Sequence, residues 1–370
     1  MAVAAALAII LSVGLVMNLT SVDAENHDLY HPDEFQSDFI ARTSEQRTPI
    51  QTPHGAIAVR HIEYMSDNLY GRMGFTYREK EAAVWIVQEL LAMGHSWDNI
   101  EIQEFYMYDP FVMNTVGMHP ADIISWWSDG DEVSLRNYSQ NIILTIPGQS
   151  ESKIIVGAHY DSFPYLGASD NASGVALLLE SAQRMQNADN YHTIVYVFFG
   201  AEEMGLVGAW IYYESLTQRQ RDNLVIMINA DVLFEGDFFL YSTGYMSQTM
   251  PEPGINALSQ EVSRIISVVR NENDIAVATI NEGIFFGSDH RVFLNAGHTV
   301  VVFTGLEPQP YEYYSHRSLA YYDGNALLAR IFHTSRDCFH YINENFPGKI
   351  AEAMRTFSLV LEGLLTSKFY

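Results

Sequence analysis

The chain has 370 residues, 48% of them apolar and 18% charged, with a formal net charge of −25. That length and apolar content allow a full hydrophobic core and exclude an intrinsically disordered chain. Lysine occurs only at Lys80, Lys153, Lys349 and Lys368, and the acidic balance disfavours nucleic acid and anionic lipid as partners. The acidic balance reads either as an ordinary solvated surface or as adaptation to saline surroundings, and the second reading predicts stability that rises with added salt.

Residues 1–24 are set apart by an almost unbroken apolar run, Ala2 to Val16, followed by Val22-Asp23-Ala24. A short apolar run before a small-x-Ala site reads as a secretory signal peptide cut after Ala24, although no Lys or Arg precedes the run. The other reading is an uncleaved membrane anchor, for which the run is short, since a bilayer span needs roughly 20 apolar residues. A secreted or periplasmic location and no stable membrane partner are therefore expected. Residues 25–55, with Pro32, Pro49 and Pro53, read as an irregular lead-in to one domain covering 25–370. Cys338 is the sole cysteine, so no internal disulfide can form, and its apolar neighbours Phe339 and Ile342 predict a buried inert thiol.

Glu79 to Met93 has the spacing of an amphipathic helix closed by Gly94, and Ile100 to Met107 alternates as a strand does. Residues 108–138, with Trp126-Trp127 and the turn-forming Ser128 to Asp131, read as an insertion. Asn141 to Ile146 and Lys153 to Ala158 read as consecutive strands joined at Pro147-Gly148. Strands and helices then alternate: helix Ser173 to Met185, strand Thr193 to Phe199, helix Glu203 to Tyr213 and strand Leu224 to Ala230. Phe238 to Ser242 and Thr299 to Thr304 follow as strands, with helices over Ile255 to Val269, Asn325 to Ile342 and Ile350 to Leu365. Continuous apolar strands between helices predict an α/β fold: a single domain with a central, mostly parallel (mixed) sheet covered by helices on both faces.

In open α/β sheets ligands bind beyond the carboxyl ends of the strands. There the sequence places His159, Glu202-Glu203 and Asp231, each directly after an apolar strand. Asp170 lies in the loop after the first of these strands, and His316 follows the Thr299 strand after an aromatic loop. His159, Asp170, Glu203, Asp231 and His316 supply two imidazoles and three carboxylates, a donor set suited to two zinc ions sharing one carboxylate. Asp161 lies two residues from His159, about 6.6 Å along an extended chain on the same face, where it can orient the imidazole. Taken singly, Asp170 is also a plausible helix cap, and the Glu pair a favourable start to a helix. His290 and His298 are near the site in sequence but are read as non-ligands, and His333 and His340, on a helix, as packing or surface residues.

Six stretches carry a resemblance: GAHYDS (157–162), ASDNASG (168–174), GAEEMGLVGA (200–209), NAD (229–231), GSDHRVF (287–293) and YSHRSLAYYD (314–323). In this order and spacing, over roughly residues 60–365, they resemble the zinc aminopeptidase family M28. The resemblance implies a zinc-exopeptidase fold with a co-catalytic zinc pair. His159 and Asp231 would bind one ion and Glu203 and His316 the other, with Asp170 bridging, Glu202 as general base and Asp161 orienting His159. Water bridging two zinc ions becomes acidic enough to supply hydroxide near neutral pH. Peptides with a free N-terminus would be the substrates. Asp289, Phe293 and Val232 are candidates for the substrate pocket, and Tyr314 for a substrate-facing role, although Ser315 stands where family members place a tyrosine beside the last histidine. Three other readings remain: a glutaminyl cyclase, against which Asn171 stands in place of a serine; a carboxypeptidase-type enzyme using Arg291 or Arg317; and a non-catalytic ectodomain, which would not need the complete donor set.

Overall fold

The structure is a computed structural model that describes residues 51–116, 135–236, 238–247, 250, 253–279, 287–305, 331 and 333–369. The expected signal peptide, most of the lead-in, much of the 108–138 insertion, Tyr314 and His316 lie outside the described residues. Two helices open the described chain, α1 (Ala56–Asn68) and α2 (Tyr77–Met93). The strands are β1 (Ile100–Tyr106), β2 (Tyr138–Ile146), β3 (Ser150–His159), β4 (His192–Phe199), β5 (Leu224–Ala230), β6 (Phe239–Gly244), β7 (Val277–Thr279) and β8 (Val300–Thr304). Between and after them run α3 (Pro110–Val116), α4 (Ser173–Met185), α5 (Val207–Ser215), α6 (Gln218–Asp222), α7 (Ala257–Asn273), α8 (His290–Asn295), α9 (Phe339–Asn345) and α10 (Lys349–Leu365).

The eight strands form one mixed sheet in the order β1-β2-β4-β3-β5-β8-β6-β7. β3 is parallel to β4 on one side and to β5 on the other, and β5 is parallel to β8. β1–β2, β2–β4 and β6–β8 are antiparallel. Successive side chains on a strand point to opposite faces, and here both faces are covered, which is why the apolar runs are unbroken. On one face Ile155, Val195, Val197 and Met227 pack with Ala209 and Tyr212 of α5 and Val292 and Phe293 of α8. On the other, α4 lies against β3, β4 and β5, with α1 and α10 packed on α4. At Gly174 an added Cβ would come within 2.3 Å of the Ala230 carbonyl and 2.9 Å of the Ala158 Cβ, so only glycine lets α4 sit this close.

β2 and β3 are consecutive strands joined through Pro147-Gly148 as expected, and β4 lies between them in the sheet. Three expectations need correction. The α5 helix starts at Val207 and not at Glu203. The chain from Glu202 to Leu206 is a turn, because both the Gly205 and Leu206 amides return to the Glu202 carbonyl and Leu206 takes a left-handed φ of 61°. Residues 333–338 are turns, not part of a helix running to Ile342, and Cys338 caps α9 half-buried.

Candidate metal and catalytic centre

Three neighbouring parallel strands deliver the site. β3 ends at His159, β4 leads through Gly200 and Ala201 to Glu202-Glu203, and β5 leads to Asp231. Ala201 and Val232 flank these acids with φ of 53° each, and His333 has φ 55°. Such left-handed backbone costs about 1–3 kcal/mol per residue and gathers at functional sites, where the surrounding fold holds it in place.

Asp170 sits in the turn Ala168–Ala172, which leads into α4. The Asp170-Asn171 peptide is cis. Asn171 bolts this turn to the sheet, donating to the Ala230 carbonyl at 2.9 Å and accepting from the Gly174 amide at 2.8 Å. Asn171 is fully buried.

The two carboxylate oxygens of Asp170 face two different imidazoles. Oδ1 lies 3.2 Å from His159 Nε2, and Oδ2 lies 3.0 Å from His333 Nε2. His159 Nε2 is also 3.2 Å from Asp231 Oδ1, and His333 Nε2 is 3.5 Å from Glu203 Oε2. Three donor groups result among the described residues: His159–Asp170–Asp231 and Asp170–Glu203–His333, which share Asp170, and a third that brings Glu202 together with His159 and Glu203. Phe163 stacks on the His333 ring, centroid to centroid 3.9 Å.

His333 is therefore the imidazole that faces Asp170 and Glu203, although its sequence context reads as packing or surface. The available signal was a carboxylate four residues on, Asp337. Buried Asp337 accepts from the amides of Ser169 at 2.5 Å and Asp170 at 2.9 Å, and so holds the Asp170 turn against the His333 segment. Asp161 carries more than the expected contact with His159. Its Oδ1 is 3.5 Å from His159 Nδ1, which is closer to the Asp161 backbone carbonyl at 3.2 Å. The same carboxylate accepts from the Glu202 amide at 2.9 Å and the Glu203 amide at 3.2 Å, tying the β3 loop to the β4 loop.

Of the substrate-pocket candidates, Phe293 is a core residue: it is fully buried and packs on Tyr212 and Tyr213. Val232 is buried directly after Asp231, and its carbonyl accepts from the Gly305 amide. Asp289 is fully buried beside the acidic group, and neither carboxylate oxygen has a hydrogen-bond partner among the described residues. His340 pairs with Asp67 at an exposed position, and His298 meets the Tyr213 hydroxyl.

The electrostatics are those of crowded anions. Burial, then the nearby Glu203, Asp289 and Asp231, push Glu202 well above the usual carboxylate range despite the opposing pull of His159. Burial and Asp170 raise Glu203 to about 7, and burial raises Asp231 and Asp289. Burial opposes a charge on His159 and His333. Glu202 and Asp231 nevertheless hold His159 well above its ordinary value, and Glu203 and Asp170 raise His333 to about 10. Against burial, the two imidazoles keep Asp170 below the ordinary range. Glu203 Oε1 is buried with no hydrogen-bond partner among the described residues. Cations placed between these donors would relieve the repulsion and satisfy that oxygen, so the residues fit divalent metal.

The sequence profile of Peptidase family M28 matches residues 141–358. Among curated proteins, a probable lipoprotein aminopeptidase of Mycobacterium tuberculosis is 39% identical over 98 residues, 26% of this chain and 20% of its own length. The chain spans between 18% and 64% of the length of the first curated relatives it matches. Among solved structures, a zinc aminopeptidase from Bacillus subtilis superposes with a TM-score of 0.60 at 16% identity, covering 87% of this chain and 97% of that one. A glutaminyl cyclase of Tannerella forsythia superposes with a TM-score of 0.56 at 16% identity, covering 86% and 100%. These likenesses establish the fold, and the fold does not separate peptide hydrolysis from cyclisation. Among the described residues, no helix is long and apolar enough to cross a membrane.

Proposed function

The chain belongs to Peptidase family M28, and from that membership we propose that it is an exported, zinc-dependent aminopeptidase acting on peptides with a free N-terminus. The observation that carries this reading is Asp170, with one oxygen toward His159 and the other toward His333. We assign His159 and Asp231 to one zinc, His333 and Glu203 to the other, and Asp170 to both. His333 takes the place that the sequence resemblance gives to His316. Bound zinc would supply Lewis acidity toward the scissile carbonyl and lower the pKa of water.

The remaining work belongs to the protein. Glu202 is not paired with either imidazole at the distances above, and its raised proton affinity suits it to accept a proton from the attacking water. It then returns that proton to the departing amine nitrogen. Asp161 fixes the Glu202 and Glu203 amides and, through its carbonyl, holds His159 Nδ1, so that Nε2 faces the donors. The acidic cluster suits the α-ammonium of a substrate, which limits attack to the first peptide bond. The apolar run ending at Ala24 supports export, and the probable lipoprotein relative is in keeping with it.

The test is hydrolysis of an aminoacyl-anilide panel, with and without chelator, beside N-acetylated anilides and a peptide with N-terminal glutamine. Chelator-sensitive cleavage of the free amines alone is expected. Equal cleavage of blocked substrates, or cyclisation of the glutaminyl peptide without anilide cleavage, would reject the proposal.

A further inference from the structure

Arg72 is the largest fully buried side chain among the described residues, and it lies in the loop between α1 and α2. Among the described residues it forms no ion pair at contact distance. Its guanidinium instead donates to four backbone carbonyls: Nε to Tyr160 at 2.6 Å, Nη1 to Leu69 at 3.2 Å and Leu166 at 3.0 Å, and Nη2 to Gly167 at 2.8 Å. The loop backbone adds two ties, from the Ser162 amide to the Arg72 carbonyl at 3.2 Å and from the Gly71 amide to the Tyr165 carbonyl at 2.9 Å.

Tyr160 lies between His159 and Asp161, and Gly167 starts the turn that presents Asp170. Arg72 thus spans the two loops that carry the shared carboxylate and one imidazole. The fit is close: at Gly167, with φ 58°, an added Cβ would come within 2.9 Å of Arg72 Nη2 and 2.6 Å of the Asp170 carbonyl. The nearest carboxylates in electrostatic terms are Asp337, Asp170, Asp161 and Glu203, which oppose the effect of burial, and at about 10 the group stays cationic at neutral pH. A planar fork with five donors can serve several carbonyls at once, and an ammonium cannot.

We propose that Arg72 is a positioning residue that sets the separation of the His159–Asp161 and Gly167–Asp170 loops before metal arrives, acting through the Tyr160, Leu166 and Gly167 carbonyls. The proposal rests on the metal reading above only where it concerns zinc affinity. The pre-assembly of the loops is independent of it.

Hydrogen exchange on the metal-stripped full chain tests pre-assembly. The Gly71, Ser162 and Ala172 amides should exchange as slowly, within about tenfold, as the β5 amide of Met227. Exchange at those three amides near the rate of exposed backbone would overturn the proposal, whether or not the chain binds zinc. Zinc titration against a competing chelator tests the consequence. R72M should bind zinc about 10–100-fold more weakly than wild type, the range seen when groups orienting metal ligands are lost. R72K should stay within a few-fold of R72M. Wild-type affinity in folded R72M, or full recovery in R72K, would overturn it, the latter because charge alone would then suffice. Should either variant fail to fold, the exchange measurement on wild type decides. Failure of wild type to bind zinc would sink the proposed function and leave the exchange result to judge Arg72.

Discussion

Replacing His333 by alanine separates the site seen in the structure from the one the sequence resemblance implies. The substitution removes the imidazole 3.0 Å from Asp170 Oδ2 and 3.5 Å from Glu203 Oε2, leaving that donor group with two carboxylates and Glu203 with an oxygen already unpartnered. Loss of an orienting group alone costs 10–100-fold in metal affinity, so loss of a direct donor should cost at least about 100-fold at one of two ions. At a fixed zinc concentration well above the wild-type dissociation constant, a 100-fold weaker site forfeits about 2.7 kcal/mol of ligand stabilisation. For a fold of this size, about 1.5 °C per kcal/mol, that is a melting shift of about 4 °C. The assay is metal content after dialysis, paired with calorimetry at fixed zinc. H333A should retain about one equivalent and melt lower, whereas H316A should keep both equivalents and melt as wild type does. The opposite pattern, with H316A losing metal and H333A retaining it, would refute the assignment.

E202Q should fold and keep its metal while losing roughly 10²–10⁴-fold in turnover, the usual contribution of a general base; single-turnover rates near wild type would remove Glu202 from that role. Glu180 is fully buried and accepts from the amides of Gly55, Ile57 and Ala58, the Ser358 hydroxyl and Arg184 Nε. Breaking such a buried ion pair costs about 3–5 kcal/mol, so E180A should melt lower by about 5–8 °C, and an unchanged melting curve would contradict this account of how α1 is anchored. Glu79, which accepts from the Phe75 and Ala201 amides and the Ser139 hydroxyl, is raised to about 8 by burial and then by Asp161. A folded value above the unfolded one gives stability that is full below about pH 4.5 and lost as pH rises through about 8. Metal-stripped wild type should therefore lose stability between pH 6 and 9 more steeply than E79Q; equal slopes in calorimetry would count against the shift.

The donors on strand ends were legible one by one. An apolar strand that runs straight into His159, Glu202-Glu203 or Asp231 leaves a polar group at a rim, and parallel packing brings such rims together. Gly174 fixes the close seat of α4 by the same local sterics, since no side chain fits there. Those features are local, set by periodicity and by backbone sterics, and they read directly from residue order.

The second imidazole was not local. The one local signal beside His333 is Asp337, and by itself it does not separate a donor from a packed histidine. Its role depends on a turn with left-handed backbone at His333, and on Asp337 reaching back about 170 positions to the amides of Ser169 and Asp170. Arg72 is the same kind of case, a cation whose partners are carbonyls some ninety residues away. Carbonyl acceptors carry no side-chain signature, so no sequence pattern names them. Residue order alone determined the alternating architecture and the acids and imidazole that end its central strands. The tertiary structure decided which distant histidine closes the group and which buried charge spaces its loops, because both depend on backbone groups that every residue shares.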